Sequence, residues 1–358
     1  MIQLTWRQFR TQAVVAFGLL AAIAVTLAVT GPQLVHLYDT SVVSCAAHDD
    51  CAAADTVLVG RFRLLQGLGV VLVLVPGLIG LFWGAPLLAR ELETGTYKLT
   101  WTQSVTRKRW LATKLALVGG ASVAVAGLLS LMITWWSSPI DRVNADPFGL
   151  FDERGIVPLG YAAFAFALGV TAGMLLRRTV PAMVATLGVF AAVRVAIDRW
   201  VRPHLLAPLH ISAPLTMPAG NVSPVALATP SPGDWVISDL TVNGTGQVIG
   251  QDGVINFGGG RYGIGVSVAD GKVTVPGAGV CPNKFPAPTL VHNANAGPPP
   301  GMAQAVQECY ARLGIRQLLT YQPTSHYWPL QWYELAIFTG LALVLAGFTF
   351  VWLRRRFP

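Results

Sequence analysis

The chain has 358 residues, 53% of them hydrophobic and only 12% charged, with a mean hydropathy of +0.54. Soluble chains carry roughly 25% charged residues; half that density excludes an ordinary soluble enzyme, and the hydrophobicity excludes disorder. The net charge of +8 points to nucleic acid or to membrane orientation, depending on where the basic residues lie.

In chain order, residues 1–12 interleave Leu4, Trp6 and Phe9 with Arg7 and Arg10, a pattern suited to a membrane interface. Apolar runs follow at 13–30, 64–89, 115–140, 155–176, 179–193 and 335–353. A bilayer core of about 30 Å needs about 20 helical residues, and five runs qualify directly. The fifth in order is short and extends to about Ile197, bringing Arg194 and Asp198 within snorkelling reach of one surface. The sequence thus predicts an α-helical multi-pass membrane protein with six transmembrane helices, five of them within 13–200. The sixth and a basic C-terminus occupy 331–358. The first apolar run exceeds a signal-peptide core and lacks a convincing cleavage site, so it reads as a retained helix.

With the N-terminus inside, the segments 1–12, 90–114, 177–178 and 354–358 hold 13 basic residues and two acids, Glu91 and Glu93. The remainder holds 12 basic and 15 acidic residues. Lys/Arg bias in short loops sets topology, so both termini are expected to be cytoplasmic and the protein to sit in the cell membrane. This asymmetry accounts for the basic total with no role for nucleic acid. Trp83, Trp101, Trp110 and Trp352 fall near the inner surface, and Trp135, Trp136, Trp200, Trp328 and Trp332 near the outer one, as an aromatic belt would place them.

Residues 201–330 change character: Gly- and Pro-rich, with no run able to span a bilayer. Short β-like pieces at 235–237, 247–249, 254–257, 262–268 and 272–275, followed by a helix-like piece at 302–319, predict a small mixed α/β extracytoplasmic domain. All four cysteines, Cys45, Cys51, Cys281 and Cys309, fall on the outer side. An even number on an oxidising side suggests two disulfides. Proximity pairs Cys45 with Cys51 and Cys281 with Cys309, free thiols being the alternative.

No catalytic constellation is visible. A Walker phosphate loop, a G-x-S-x-G elbow and H-E-x-x-H are all missing. His48 and His292 complete no metal-ligand spacing. No catalytic, cofactor-binding or metal-ligating residue is therefore expected, and the chain is expected not to be an enzyme. Arg194 and Asp198, one helical turn apart, mark either a polar pathway or an interfacial ion pair. The inner loop 90–114 holds the only cytoplasmic acids, Glu91 and Glu93, before Gly95, a hydroxyl-rich stretch and a basic cluster. It reads as a short helix parallel to the membrane that presents charges to a soluble partner, or as an ordinary re-entry loop.

The stretch Glu91–Thr96 resembles the E-x-E-x-G-T signature of type-2 ATP-binding-cassette (ABC) exporter permeases, and Thr102–Trp110 resembles the actinobacterial version of the sequence after it. Resemblance extends to 155–161, 175–181, 320–323 and 327–332. It implies a membrane subunit that dimerises with a second permease chain and binds two ABC ATPase subunits, which carry the ATP and Mg. The resemblance makes Glu91, Glu93, Gly95 and Thr96 coupling residues and the start around Trp6, Arg7 and Arg10 a second ATPase contact. Homodimerisation, export and an unidentified substrate go with it. The alternative is a membrane-anchored binding or sensory protein whose outer domain does the work.

Overall fold

The computed structural model describes residues 2–38, 73–95, 106–144, 147–216, 225–226, 230–231, 233–251, 254–255, 267–269, 272–275, 279–280 and 302–356. The chain divides into two compact units, Met1–Leu205 with Tyr327–Pro358, and Leu206–His326.

The first unit is a helical bundle: α1 (Ile2–Tyr38), α2 (Val73–Thr94), α3 (Arg107–Asn144), α4 (Val157–Leu176), α5 (Thr179–Ala196) and the long helix of Tyr327–Arg356. Past Ala196, α5 runs on through a π turn, Ile197–Val201, and a 3-10 turn, Arg202–His204. Among the described residues five helices are long and apolar enough to cross a membrane, and α1 contains a shorter apolar stretch, Phe17–Gln33. This is a multi-pass membrane protein. The fifth span continues to His204, beyond the limit near Ile197 that its charges suggest. Those charges are tolerated because each finds partners, Arg194 in the Val73 carbonyl of α2 and in Asp152, and Asp198 in Arg202 one turn further along.

α4 is the hub, packing against α2, α3, α5 and the Tyr327–Arg356 helix. Small residues set how closely α2 approaches it. α2 widens into a π turn at Gly80–Gly84, where a Cβ on Gly80 would stand 2.5 Å from the Ala165 carbonyl oxygen. On α4, a Cβ on Gly173 would stand 2.5 Å from the Ala85 carbonyl oxygen. Close backbone approach through small residues is how helices gain packing in lipid, where no hydrophobic force draws them together. Gly119 of α3 is likewise filled by the Phe166 ring, whereas Gly120 faces open space.

The tryptophans divide into two groups. Trp83, Trp110 and Trp136 are buried against neighbouring helices, not placed as an interfacial belt. Trp135, Trp200, Trp328 and Trp332 are exposed. Periodicity alone does not separate a buried indole from an anchoring one.

The second unit is built on a six-stranded antiparallel sheet of order β2-β1-β9-β3-β4-β5, with β1 (Leu209–Thr216), β2 (Val225–Ala226), β3 (Trp235–Val242), β4 (Val248–Gln251), β5 (Val254–Ile255) and β9 (Arg316–Gln322). A smaller sheet joins β6 (Ser267–Ala269), β7 (Lys272–Val275) and β8 (Gly279–Val280). The helix expected at 302–319 stops at Arg312, giving α6 (Met302–Arg312), and the chain re-enters the sheet as β9 between β1 and β3. Gly314, at φ 63°, ends it: the Ile315 N–H bonds the Tyr310 carbonyl at 2.9 Å, a left-handed helix stop. The remaining helix, Tyr327–Arg356, is α7.

Candidate functional site: two polar ends of the helical bundle

The first end joins the C-terminus of α2 to the N-termini of α3 and α5. The acids expected on a separate loop helix lie within α2, whose last residue is Thr94. Gly95, at φ 72°, terminates it in a conformation that favours glycine. Glu91 pairs with the buried Lys114 of α3, whose ammonium also lies 4.7 Å from the Trp110 ring centre. The second Glu91 oxygen, Oε2, is buried without a hydrogen bond. Glu93 turns the other way. Its Oε2 accepts the Thr179 N–H at 3.0 Å and the Thr179 hydroxyl at 2.8 Å, satisfying a donor at the start of α5 and placing negative charge at a helix N-terminus. The tight link before it rests on Arg177, the one non-glycine residue with positive φ among the described residues.

Of the other residues the sequence assigns to this end, Thr96 and the side chains of Trp6 and Arg7 lie outside the described residues. Arg10 is exposed on α1. Sequence patterning thus names both carboxylates, but not Lys114 and Thr179, the partners they hold. Lys114 reads in sequence as one more inside-positive residue; its burial comes from tertiary packing.

The second end joins the N-termini of α4 and α7, the end of α5 and the α3–α4 link. Arg194 and Asp198 both belong to it, but they are not paired with each other. Arg194 bonds the Val73 carbonyl at 2.8 Å, lies 3.3 Å from Asp152 and stacks 4.5 Å from the Tyr161 ring centre. Asp198 pairs with Arg202 at 2.6 Å. Arg202 is the centre of the cluster. Its guanidinium donates to Glu334 from Nε at 2.8 Å and from Nη2 at 2.9 Å, and Nη2 also reaches Asp152. Tyr161, fully buried, lies with its hydroxyl 2.8 Å from Asp152 and 2.5 Å from Glu334.

Two cations and three carboxylates therefore meet around one phenol. Burying such charges is costly unless each finds partners; Arg202 uses the planar fork of its guanidinium to satisfy several acids at once. Burial would raise the Asp152 carboxyl, but Arg202 and Arg194, with the hydrogen bonds from Tyr161 and Arg202, hold it below the ordinary aspartate value. Its neighbour Glu153 has the opposite outcome: burial and the Asp152 charge push it up to about 7.

Gln331 of α7 completes this end. Its Oε1 accepts the N–H groups of Ile156 and Val157, both at 3.0 Å, and its amide donates to the Phe151 carbonyl at 2.9 Å. It thus caps the start of α4 from another helix. Gly155, at φ 77°, leaves room for it, since a Cβ there would meet Gln331 Oε1 at 2.7 Å. Of this cluster only Arg194 and Asp198 stand out in the sequence; Arg202, Glu334, Tyr161 and Asp152 do not. One signal was available: Arg194, Asp198 and Arg202 recur at i, i+4 and i+8, a charged stripe on one helix face.

Among the described residues no group of three or more His, Cys, Asp or Glu is placed to hold a metal ion. The family described as "ABC-2 membrane transporter related" matches residues 17–202. The chain belongs to this family. Its match runs from Phe17 within α1 to Arg202, so both polar ends lie largely within it. It supports the ABC-2 permease resemblance read in the Glu91–Thr96 stretch and points to a membrane permease of an ABC transporter, a family of transport subunits for which an ABC ATPase partner is implied. No curated protein and no solved structure matches the chain.

Proposed function

We propose that this chain is the permease subunit of an ATP-driven exporter, two copies of which assemble with two ATPase subunits that bind ATP and Mg. The observation that carries this reading is the arrangement at the end of α2. Within a chain of the ABC-2 transporter family, Glu91 holds α3 and Glu93 holds α5. A partner that displaces this helix end therefore pulls on three helices together. Glu91, Glu93, Gly95 and Thr96 form the coupling element, and Trp6, Arg7 and Arg10 a second contact.

Six spans with both termini cytoplasmic put this end inside, in keeping with its basic residues, and put the Arg202 cluster at the outer end with residues 201–330 outside. Arg194 and Asp198 then serve as parts of an outer latch, and not as a continuous polar pathway. Opening would exchange one set of charge pairs for another, a two-state change that ATP binding biases. Cys309, buried and disulfide-bonded, pairs with Cys281, and Cys45 with Cys51; these three partners lie outside the described residues. The substrate is unassigned.

The test is co-expression with a candidate ABC ATPase from the same genome, followed by mass measurement of the purified complex. Two permease and two ATPase chains are expected. A permease that purifies and works without an ATPase would overturn the reading in favour of a membrane-anchored binding or sensory protein.

A further inference from the structure

We propose that the cleft between α1, α2 and α3 is a binding site for one phospholipid with an anionic head group. The cleft has a volume of about 1010 Å³ and is walled by apolar side chains, among them Leu19 and Ile23 of α1, Leu78 and Phe82 of α2, and Val125 and Leu129 of α3. Polarity is confined to one end, where Arg90, Glu93 and Thr179 line it. The cleft is therefore amphipathic along its length.

Its dimensions fit one leaflet. From Val75 to Arg90 on α2 is about 22 Å at 1.5 Å per residue, and half of a bilayer of 40–45 Å, head groups included, is about 20–22 Å. Apolar chains would lie along Leu78 and Phe82, with the head group at the level of Arg90. The charge at that level selects the head group. Arg90 is exposed, and Arg178, also exposed, immediately precedes Thr179. The one acid there, Glu93, has a carboxylate oxygen already engaged by two donors of Thr179. The end thus offers the Arg90 guanidinium to a phosphate, with the positive charge of Arg178 near enough to act on Glu93 beside it, and guanidinium pairs with phosphate in a bidentate fork. This assignment needs only the membrane setting and is independent of the ATPase coupling proposed above.

The full chain, purified in mild detergent and supplied with equal amounts of phosphatidylglycerol and phosphatidylcholine, can be weighed by native mass spectrometry. One phosphatidylglycerol per chain is expected, preferred over phosphatidylcholine by about fivefold for each arginine engaged. Arg90→Gln should reduce that preference, and Arg90→Gln with Arg178→Gln should abolish it. Leu78→Trp should lower retention of both lipids. If that variant fails to fold, a photoactivatable acyl chain on phosphatidylglycerol locates the site in the unaltered protein, with labelling expected within 75–86. Equal retention of the two lipids, or labelling elsewhere, would overturn the proposal. So would chain-to-chain cross-links through Leu19, which would give the cleft to a second copy.

Discussion

The two polar ends of the bundle solve the same problem, holding charge beside lipid, in different ways. At the α2 end each carboxylate holds one partner, Glu91 with Lys114 and Glu93 with Thr179, and one Glu91 oxygen is left without a hydrogen bond. At the Arg202 end three acids and two arginines share their partners, and Gln331 adds four bonds to the α3–α4 link and the start of α4. A pairwise arrangement breaks one contact at a time, whereas a shared cluster breaks as a unit. The first suits an end that a partner must move by degrees. The second suits a latch with two discrete states.

The largest effect is expected at the cluster. Arg202→Ala leaves Glu334 buried without its cation, and breaking a buried pair costs about 3–5 kcal/mol. A correspondingly large fall in melting temperature should be seen in detergent, and adding Glu334→Gln should recover part of it. An unchanged melting temperature would show that the cluster does not hold the bundle.

Close packing along α2 and α4 gives the next effect. Gly173→Ala drives a Cβ into the Ala85 carbonyl and should cost about 1–3 kcal/mol, the usual range for overpacking. Gly120→Ala, in open space, should be neutral in the same thermal unfolding assay. Equal effects would place the tight contact elsewhere.

How much of this was legible in sequence differs between the two ends. Apolar runs and the inside-positive bias find the helices, because bilayer thickness fixes their length. They also isolate Glu91 and Glu93, since two acids stand out in a basic surface. The Arg202 cluster is dispersed over 183 positions from Asp152 to Glu334, each residue looking like an ordinary charge near a helix end. Only tertiary packing brings them together. The same limit explains β9: Leu318 continues in sequence the apolar face of Val306, Tyr310 and Leu313, and the break at Gly314 becomes decisive only because a place between β1 and β3 is available.

A smaller, pH-dependent effect separates the two carboxyls of the α3–α4 link. Glu153 is raised, so its contribution to stability is complete below the ordinary glutamate value and is lost as pH rises towards about 7. Asp152 is depressed, so its contribution is present above the ordinary aspartate value and is lost as pH falls below it. Thermal stability should therefore decline between about pH 4.5 and pH 7, and Glu153→Gln should flatten that decline. A slope unaffected by Glu153→Gln would assign the pH dependence to another group.

The most direct test concerns the α2 end, where Glu93→Gln should combine a small stability change with a large functional one. Glu93→Gln keeps the shape of the side chain and should scarcely alter melting. Glu91→Ala with Glu93→Ala removes both holds. The measurement is the part of ATP hydrolysis that depends on the permease, in complexes of equal subunit composition reconstituted into vesicles. The account predicts assembled complexes in which Glu93→Gln lowers this part and the double variant abolishes it. Permease-dependent hydrolysis unchanged in both would contradict coupling through this end of the bundle.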